Sequence, residues 1–330
     1  MTLNLDDEWE NFLAGETIED NTKNIIVDHD KLRDNCKELY ISTKTKITYL
    51  EDEVELDNVF WKLPVLDYIE RKEGIIKKQM KFTCNTKEEY NNFEIIKNKQ
   101  KNINIYTISD IDNPSGHTKF KYICKVNMGI SKKDILSYKS KKRGAFYNCF
   151  VCILRVDHED TFKEVNVKVF NTGKLSFPGM LSNELMQKSL DLLIKIFDNA
   201  GFKTNYNLNK VETVLINSNF NCGFYIDRDN LYNLLKSKYN LNVSYDPCSY
   251  PGIQCKYIIK NCKLSFMIFR TGSVLIVGKC SEKILYEVYE TIKNILIEEH
   301  INIASKTVVE EKKKVKQEKK VKKKIIYISK

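Results

Sequence analysis

Phe170-Asn171-Thr172-Gly173 and Phe269-Arg270-Thr271-Gly272 decide how this chain reads, because they begin two copies of one pattern. Slid by 99 positions, residues 170–197 fall on 269–296 with Gly179 on Gly278 and Ser182 on Ser281, six identities in twenty-eight positions. Beyond each serine, Leu185, Met186, Leu190, Leu193, Ile196 and Phe197 recur at helical spacing. Their partners Ile284, Leu285, Tyr289, Ile292, Ile295 and Leu296 are apolar too. Each copy is predicted to end in a Ser-capped amphipathic helix. Before each helix, two strands meet at a tight Thr-Gly turn. Leu264, Phe266 and Ile268 alternate with Ser265, Met267 and Phe269, and Val274 and Ile276 with Leu275 and Val277, so both faces of that hairpin are largely apolar. A helix can cover one face; the other needs a second partner. In the first copy Val165, Val167 and Val169 form one face, and Asn166, Lys168 and Phe170 the other.

Further upstream a different offset applies. Val54-Glu55-Leu56-Asp57-Asn58-Val59-Phe60 falls on Ile226-Asp227-Arg228-Asp229-Asn230-Leu231-Tyr232 at a distance of 172. The difference from 99 requires an insertion of 73 residues in the first copy, and 71–143 has that length. The predicted organisation is an acidic, flexible N-terminal arm (1–37), repeat A (38–70 plus 144–200), an insertion (71–143), repeat B (201–305) and a Lys-rich tail (306–330).

Charge singles out the same insertion. The chain of 330 residues carries net +10. Residues 1–30 hold nine acids against one lysine (−8), and 306–330 hold eleven lysines against three acids (+8), so the ends cancel. Residues 71–143 hold eighteen Lys/Arg against seven Asp/Glu, +11. A concentrated positive field suits a polyanion, since each neutralised phosphate releases condensed counterions. The arm mixes acids with Trp9, Phe12 and Leu13, as acidic-hydrophobic interaction segments do.

Several classes are disfavoured. No apolar run approaches the length of a membrane span, and the N-terminus opens acidic, unlike a secretory signal. Ten scattered cysteines in a chain this long read as reduced intracellular thiols. Cys149-Phe150-Val151-Cys152 has CxxC spacing, but its ends point to opposite faces of a strand and no second pair completes a zinc site. No phosphate-binding loop, dinucleotide fingerprint, metalloprotease motif or nucleophile elbow occurs, and Asp157-His158-Glu159-Asp160 reads as a charged hairpin loop. No catalytic residue, metal or cofactor is expected.

Ser249-Tyr250-Pro251-Gly252-Ile253, then Ile268-Phe269-Arg270-Thr271-Gly272-Ser273-Val274-Leu275-Ile276-Val277-Gly278, then Ile284-Leu285-Tyr286-Glu287-Val288-Tyr289-Glu290, resembles the second half of the TATA-box-binding protein core. That family reads Phe-Pro-Gly, Ile-Phe-x-Ser-Gly-Lys, a strand ending Thr-Gly, and a helix Ile-Tyr-x-Ala-Phe. Lys168-Val169-Phe170-Asn171-Thr172-Gly173-Lys174 matches the first half more loosely. The resemblance covers about 200 of 330 residues and is greatest to divergent versions from large DNA viruses. It implies an α+β fold: a pseudo-symmetric saddle, two repeats of a curved antiparallel sheet with helices on the convex face.

The resemblance also implies a site. In the family the concave side lies on a DNA minor groove and paired phenylalanines wedge between base steps. Phe170 and Phe269 match one wedge of each pair, and Tyr250 the other in repeat B. For the fourth, repeat A offers Phe146, Tyr147 and Phe150. Lys256, Arg155 two residues from its expected place, and Lys174 match phosphate-positioning lysines or arginines; Lys168, Met267, Leu275 and Val277 complete the expected DNA-facing set. Two departures stand out. Pro178 and Val277 replace the family's threonines, and Thr43 and Leu215 stand where its asparagines align, with Asn217 nearby, so central base reading is expected to be reduced. The implied function is a non-enzymatic transcription initiation factor that binds and bends AT-rich double-stranded DNA and recruits RNA polymerase or other initiation factors. The alternative is a non-catalytic interaction scaffold that kept the saddle without specific readout. No membrane or small-molecule partner is expected, and the expected location is intracellular, in the nucleus or a cytoplasmic viral factory of an infected cell, with packaging in virions.

Overall fold

A computed structural model describes residues 29–136, 146–207 and 210–305. Helix α1 (His29–Asn35) leads into β1 (Tyr40–Tyr49), α2 (Leu56–Lys62) and β2 (Gly74–Cys84). There follow α3 (Lys87–Asn98), β3 (Ile103–Asp112), β4 (Phe120–Gly129) and α4 (Lys132–Leu136), then β5 (Cys149–His158), β6 (Thr161–Phe170), β7 (Lys174–Pro178) and α5 (Asn183–Asn199). The second half runs β8 (Glu212–Asn221), α6 (Arg228–Ser237), β9 (Asn242–Ser244), β10 (Ile253–Ile259), β11 (Cys262–Ile268), β12 (Ser273–Gly278), α7 (Glu282–Glu298) and α8 (His300–Ile303).

The twelve strands join one sheet in the order β3-β4-β2-β5-β6-β7-β1-β8-β12-β11-β10-β9. All neighbours are antiparallel, β1 and β8 form the seam, and the order reads alike outward from that seam until β4 and β3 are reached. The offset of 172 carries β1 onto β8 end to end, and 99 carries α5 onto α7. It also maps Lys44 onto Ile216, and these two residues are paired across the seam, as an approximate two-fold axis through the pair requires. The α+β saddle class therefore holds.

Local chemistry explains the matching pieces. Gly173 and Gly272 sit at φ +73° and +76° in the two hairpin turns, and a Cβ there would lie 2.5 Å from Asp52 O and 2.3 Å from Phe224 O. Ser182 and Ser281 cap α5 and α7, accepting from the N–H groups of Leu185 (3.1 Å) and Ile284 (3.4 Å). Below α5, Met186, Leu190, Leu193 and Phe197 pack over Val165, Val167, Val169, Leu175 and Phe177; below α7, Leu285, Val288, Ile292 and Leu296 pack over Phe266, Ile268, Val274 and Ile276. Each such side chain contributes about 1.5–3 kcal/mol on burial, so each half has a core of its own.

The insertion behaves differently from the offset arithmetic. β2 pairs with β5 as β9 pairs with β10, so β2 holds in the first half the place of β9 in the second. The residues without a counterpart are those of α3, β3, β4 and α4, and they prolong the sheet. With only three residues, β9 leaves too little sequence for β2 to be aligned with it. Of residues 29–37, assigned in sequence to the acidic arm, His29–Asn35 form α1, and Cys36 just after it enters the second core. The rest of that arm, and the tail 306–330, lie outside the described residues. Among the described residues no helix is long and apolar enough to cross a membrane.

Candidate nucleic-acid interface

Alternation along each strand decides which side chains the helices cover. In β8, Ile216, Ser218 and Phe220 are buried toward the helices, while Leu215, Asn217 and Asn219 lie half-buried on the opposite face. The same rule puts Leu275 and Val277 of β12, and Met267 of β11, on the helix-free face, where Met267 and Leu275 are directly paired. Val274 and Ile276, their neighbours in sequence, are fully buried.

At the outer end of the second half, Tyr250 and Phe269 form an edge-to-face pair with ring centres 5.9 Å apart. Both rings are half-buried, whereas Ile268 is 1% exposed. Gly252 lies between them: a Cβ there would come within 3.0 Å of Phe269 Cε1 and 3.2 Å of Tyr250 Cε1. A side chain there would require the rings to give way by a few tenths of an ångström. The Tyr250 hydroxyl donates to Met267 Sδ at 3.6 Å, which accommodates the polar atom that tyrosine adds relative to phenylalanine. Lys256 is exposed one strand further out.

The first half carries rings and lysines, without a ring pair like that of Tyr250 and Phe269 among the described contacts. Phe170 is half-buried, while Val169 before it is fully buried; the Lys174 ammonium lies 5.8 Å from its ring. Phe146 and Tyr147 are 59% and 63% exposed. Lys168 Nζ stands 4.9 Å from the Phe146 ring centre, and Lys81 Nζ 3.6 Å from that of Tyr147. Hydrogen bonding to Lys81, with the charges of Lys81 and Lys121, pulls the Tyr147 phenol below its usual range. Of the three aromatic choices for the fourth wedge, Phe150 falls away, being fully buried against Phe60 in the core. Arg155 does not join the set either. It is 7% exposed, its guanidinium donates to the carbonyls of Glu70 and Tyr68 (2.9 Å to the latter), and it stacks 4.8 Å from the Tyr68 ring. It pins the loop before β2.

Between the halves, the departures from the family pattern meet a polar replacement. Pro178 faces Thr45 and Val277 faces Asn217. Asn217 Nδ2 donates to Thr43 Oγ1 at 2.9 Å across the seam, and Asn219 stands next along β8 on the same face. Strand alternation over Thr213–Asn221 is the signal that would have assigned these asparagines to the face. The cysteines of the CxxC spacing are both buried, and among the described residues no three His, Cys, Asp or Glu are placed to hold a metal ion.

The face is therefore a continuous band: rings at both ends, apolar and amide groups at the seam, lysines along the flanks. Residues 210–298, the second half of that band, match the family described as Transcription factor TFIID (or TATA-binding protein, TBP). A TATA-box-binding protein-like protein of Acanthamoeba polyphaga mimivirus is 28% identical over a region spanning 45% of this chain and 48% of that protein, so the chain spans about half the length of the curated relative it matches. The solved structure of Methanococcus jannaschii TBP aligns with a TM-score of 0.42 at 16% identity, over 80% of this chain and 99% of that one. The resemblance first carried by Ser249–Gly278 thus extends through 210–298, and what this chain is similar to is the TATA-box-binding protein family, including a viral TATA-box-binding-protein-like member.

Proposed function

We propose that the chain is a non-catalytic transcription initiation factor that binds AT-rich double-stranded DNA in the minor groove along its helix-free face and bends it. Phe170 and Phe269 serve as wedges at the two ends, with Tyr250 beside Phe269 and Phe146 or Tyr147 in the first half. Lys168, Lys174 and Lys256 position phosphates. The observation that carries this reading is the placement of Phe170 and Phe269 at two-fold-related ends of one uncovered sheet face, with Tyr250 paired to Phe269. Prising base steps apart costs a few kcal/mol each, which large rings held rigidly by a sheet can offset. RNA polymerase or other initiation factors would dock on the helix side, in the nucleus or a viral factory.

The scaffold reading draws its support from Pro178 and Val277, which lack hydroxyls at the seam. Titration of the full chain with labelled AT-rich and GC-rich duplexes across a salt series separates the two. DNA binding with a steep salt dependence and a preference for AT-rich sequence of about tenfold is expected, the preference coming chiefly from deformability. No measurable binding at low salt would favour the scaffold.

A further inference from the structure

We infer that Asn217 and Asn219 read the amino group of a guanine near the centre of the bound duplex, on one side of the two-fold axis only. The chain then accepts a single G·C pair there and takes one direction on DNA that holds it. This deepens the DNA-binding reading above and rests on it. In the minor groove A·T and T·A pairs present only acceptors, whereas G·C adds the guanine N2 donor. An acceptor on the protein is therefore needed wherever a G·C pair is to be tolerated.

Both amides stand half-buried on the helix-free face of β8. From Ile216, on the axis, β8 runs to Asn221, which is paired with Ser273, and the Ser273 carbonyl accepts from the Phe269 N–H at 2.9 Å. Asn217 and Asn219 thus lie on the Phe269 side of the axis. Asn217 Nδ2 donates to Thr43 Oγ1 at 2.9 Å, which fixes the carboxamide, and among the described residues nothing donates to its Oδ1. Asn219 stands in register between Tyr40 and Leu275, and its carboxamide has no hydrogen-bond partner among the described residues. Carried back by 172, the same two positions are Thr45 and Ile47. The seam's irregularities obey that offset as well, since Ser42 and Val214 are both skipped in the register. Ile47 is 3% exposed and offers no polar side-chain atom. Thr45, paired with Pro178, carries its hydroxyl on Cβ, one bond short of the reach of an asparagine oxygen. A guanine amino group on the Phe170 side therefore loses its water without gaining an acceptor.

The test uses the full chain, its Asn217→Thr/Asn219→Ile variant, which gives the second half the residues of the first, and a two-fold symmetric A·T duplex. One or both of two mirror-related central pairs are changed to G·C, or to I·C, which lacks the N2 amino group and so controls for the change of sequence. The wild type should bind the duplex with one G·C at least as tightly as that with one I·C, because it can turn to place the pair under the amides. With both pairs changed, G·C should bind about tenfold more weakly than I·C. In the variant the first G·C should already cost as much as the second. An iron chelate on Cys248, exposed in the turn ahead of Tyr250, should cut the single-G·C duplex on the G·C side and the single-I·C duplex on both sides. Equal costs of the first and second G·C in the wild type, unequal costs that persist in the variant, or cutting of the single-G·C duplex equally on both sides would each overturn the inference while leaving DNA binding in place. Failure of the wild type to bind the A·T duplex at low salt would overturn both.

Discussion

Replacing Lys78 by methionine removes an ammonium that the fold buries at a measurable cost. Lys78 lies on the core face of β2, 1% exposed. Its Nζ donates to the carbonyls of Phe60 and Leu63 (2.6 Å to the latter), which the end of α2 leaves without helical partners, and stands 4.8 Å from the Phe60 ring. Burial is the largest influence on it and pushes its pKa down from 10.5 to about 8. Since the folded value lies below the unfolded one, the native state sheds this proton first. The penalty is fully present below about pH 8 and disappears as pH climbs toward 10.5, so wild-type stability rises with pH through that window. At about 1.4 kcal/mol per pH unit the whole effect is about 3 kcal/mol, of which roughly 2–3 falls between about pH 7 and about pH 10. Lys78→Met leaves the two carbonyls without their donor, at about 1–3 kcal/mol each, but abolishes the pH-dependent part. Urea unfolding of both proteins, followed through Trp61, whose ring centre lies 5.3 Å from that of Phe60, reads the difference. The stability gap between wild type and variant should widen in favour of the wild type by roughly 2–3 kcal/mol from about pH 7 to about pH 10. A gap that stays constant would mean the ammonium is hydrated in the native protein, and the reasoning would fail.

Gly173→Ala and Gly272→Ala should each cost more than about 2 kcal/mol in thermal unfolding, because a left-handed residue and a Cβ at 2.3–2.5 Å from a carbonyl oxygen combine. Gly179→Ala, at φ +82° with nothing within 4 Å, should cost only the backbone penalty of about 1–2 kcal/mol. Glu299, 2% exposed, accepts from Lys238 and from the Tyr239 hydroxyl (2.8 Å); Lys238 is the largest of the influences that hold its carboxyl below the usual range. Its stabilising contribution is present above the ordinary carboxylate value and is lost as pH falls through the depressed one, so Glu299→Gln should flatten the acid limb of the stability profile. Deleting 306–330, with its eleven lysines against three acids, should lower the salt slope of DNA binding and leave the AT preference unchanged.

The repeat was legible because it is carried by residues with narrow physical roles. Glycines at φ +73° and +76°, the caps Ser182 and Ser281, and alternating Val or Phe strands leave few substitutes, so offsets of 99 and 172 mark α5, α7, β1 and β8 to the residue. β2 escaped notice because its counterpart β9 is three residues long and because strand pairing is a non-local choice that spacing does not encode. The exposure of Phe170 and Phe269 relative to Val169 and Ile268 followed from alternation alone. Arg155 did not: alternation gives its face, but not the capture of its guanidinium by the carbonyls of Glu70 and Tyr68, eighty-odd positions away. Asn217 and Asn219 were readable from the same alternation once β8 was aligned by its face instead of by residue identity.

Bending of DNA by the rings at the two ends of the helix-free face is tested most directly by fluorescence energy transfer between dyes at the ends of an AT-rich duplex. The wild type should shorten the end-to-end distance. Phe170→Ala/Phe269→Ala should bind with a similar salt slope but leave the duplex nearly straight, and its thermal unfolding should fall only modestly, since both rings are half-buried. A double variant that bends the duplex as the wild type does would contradict the account.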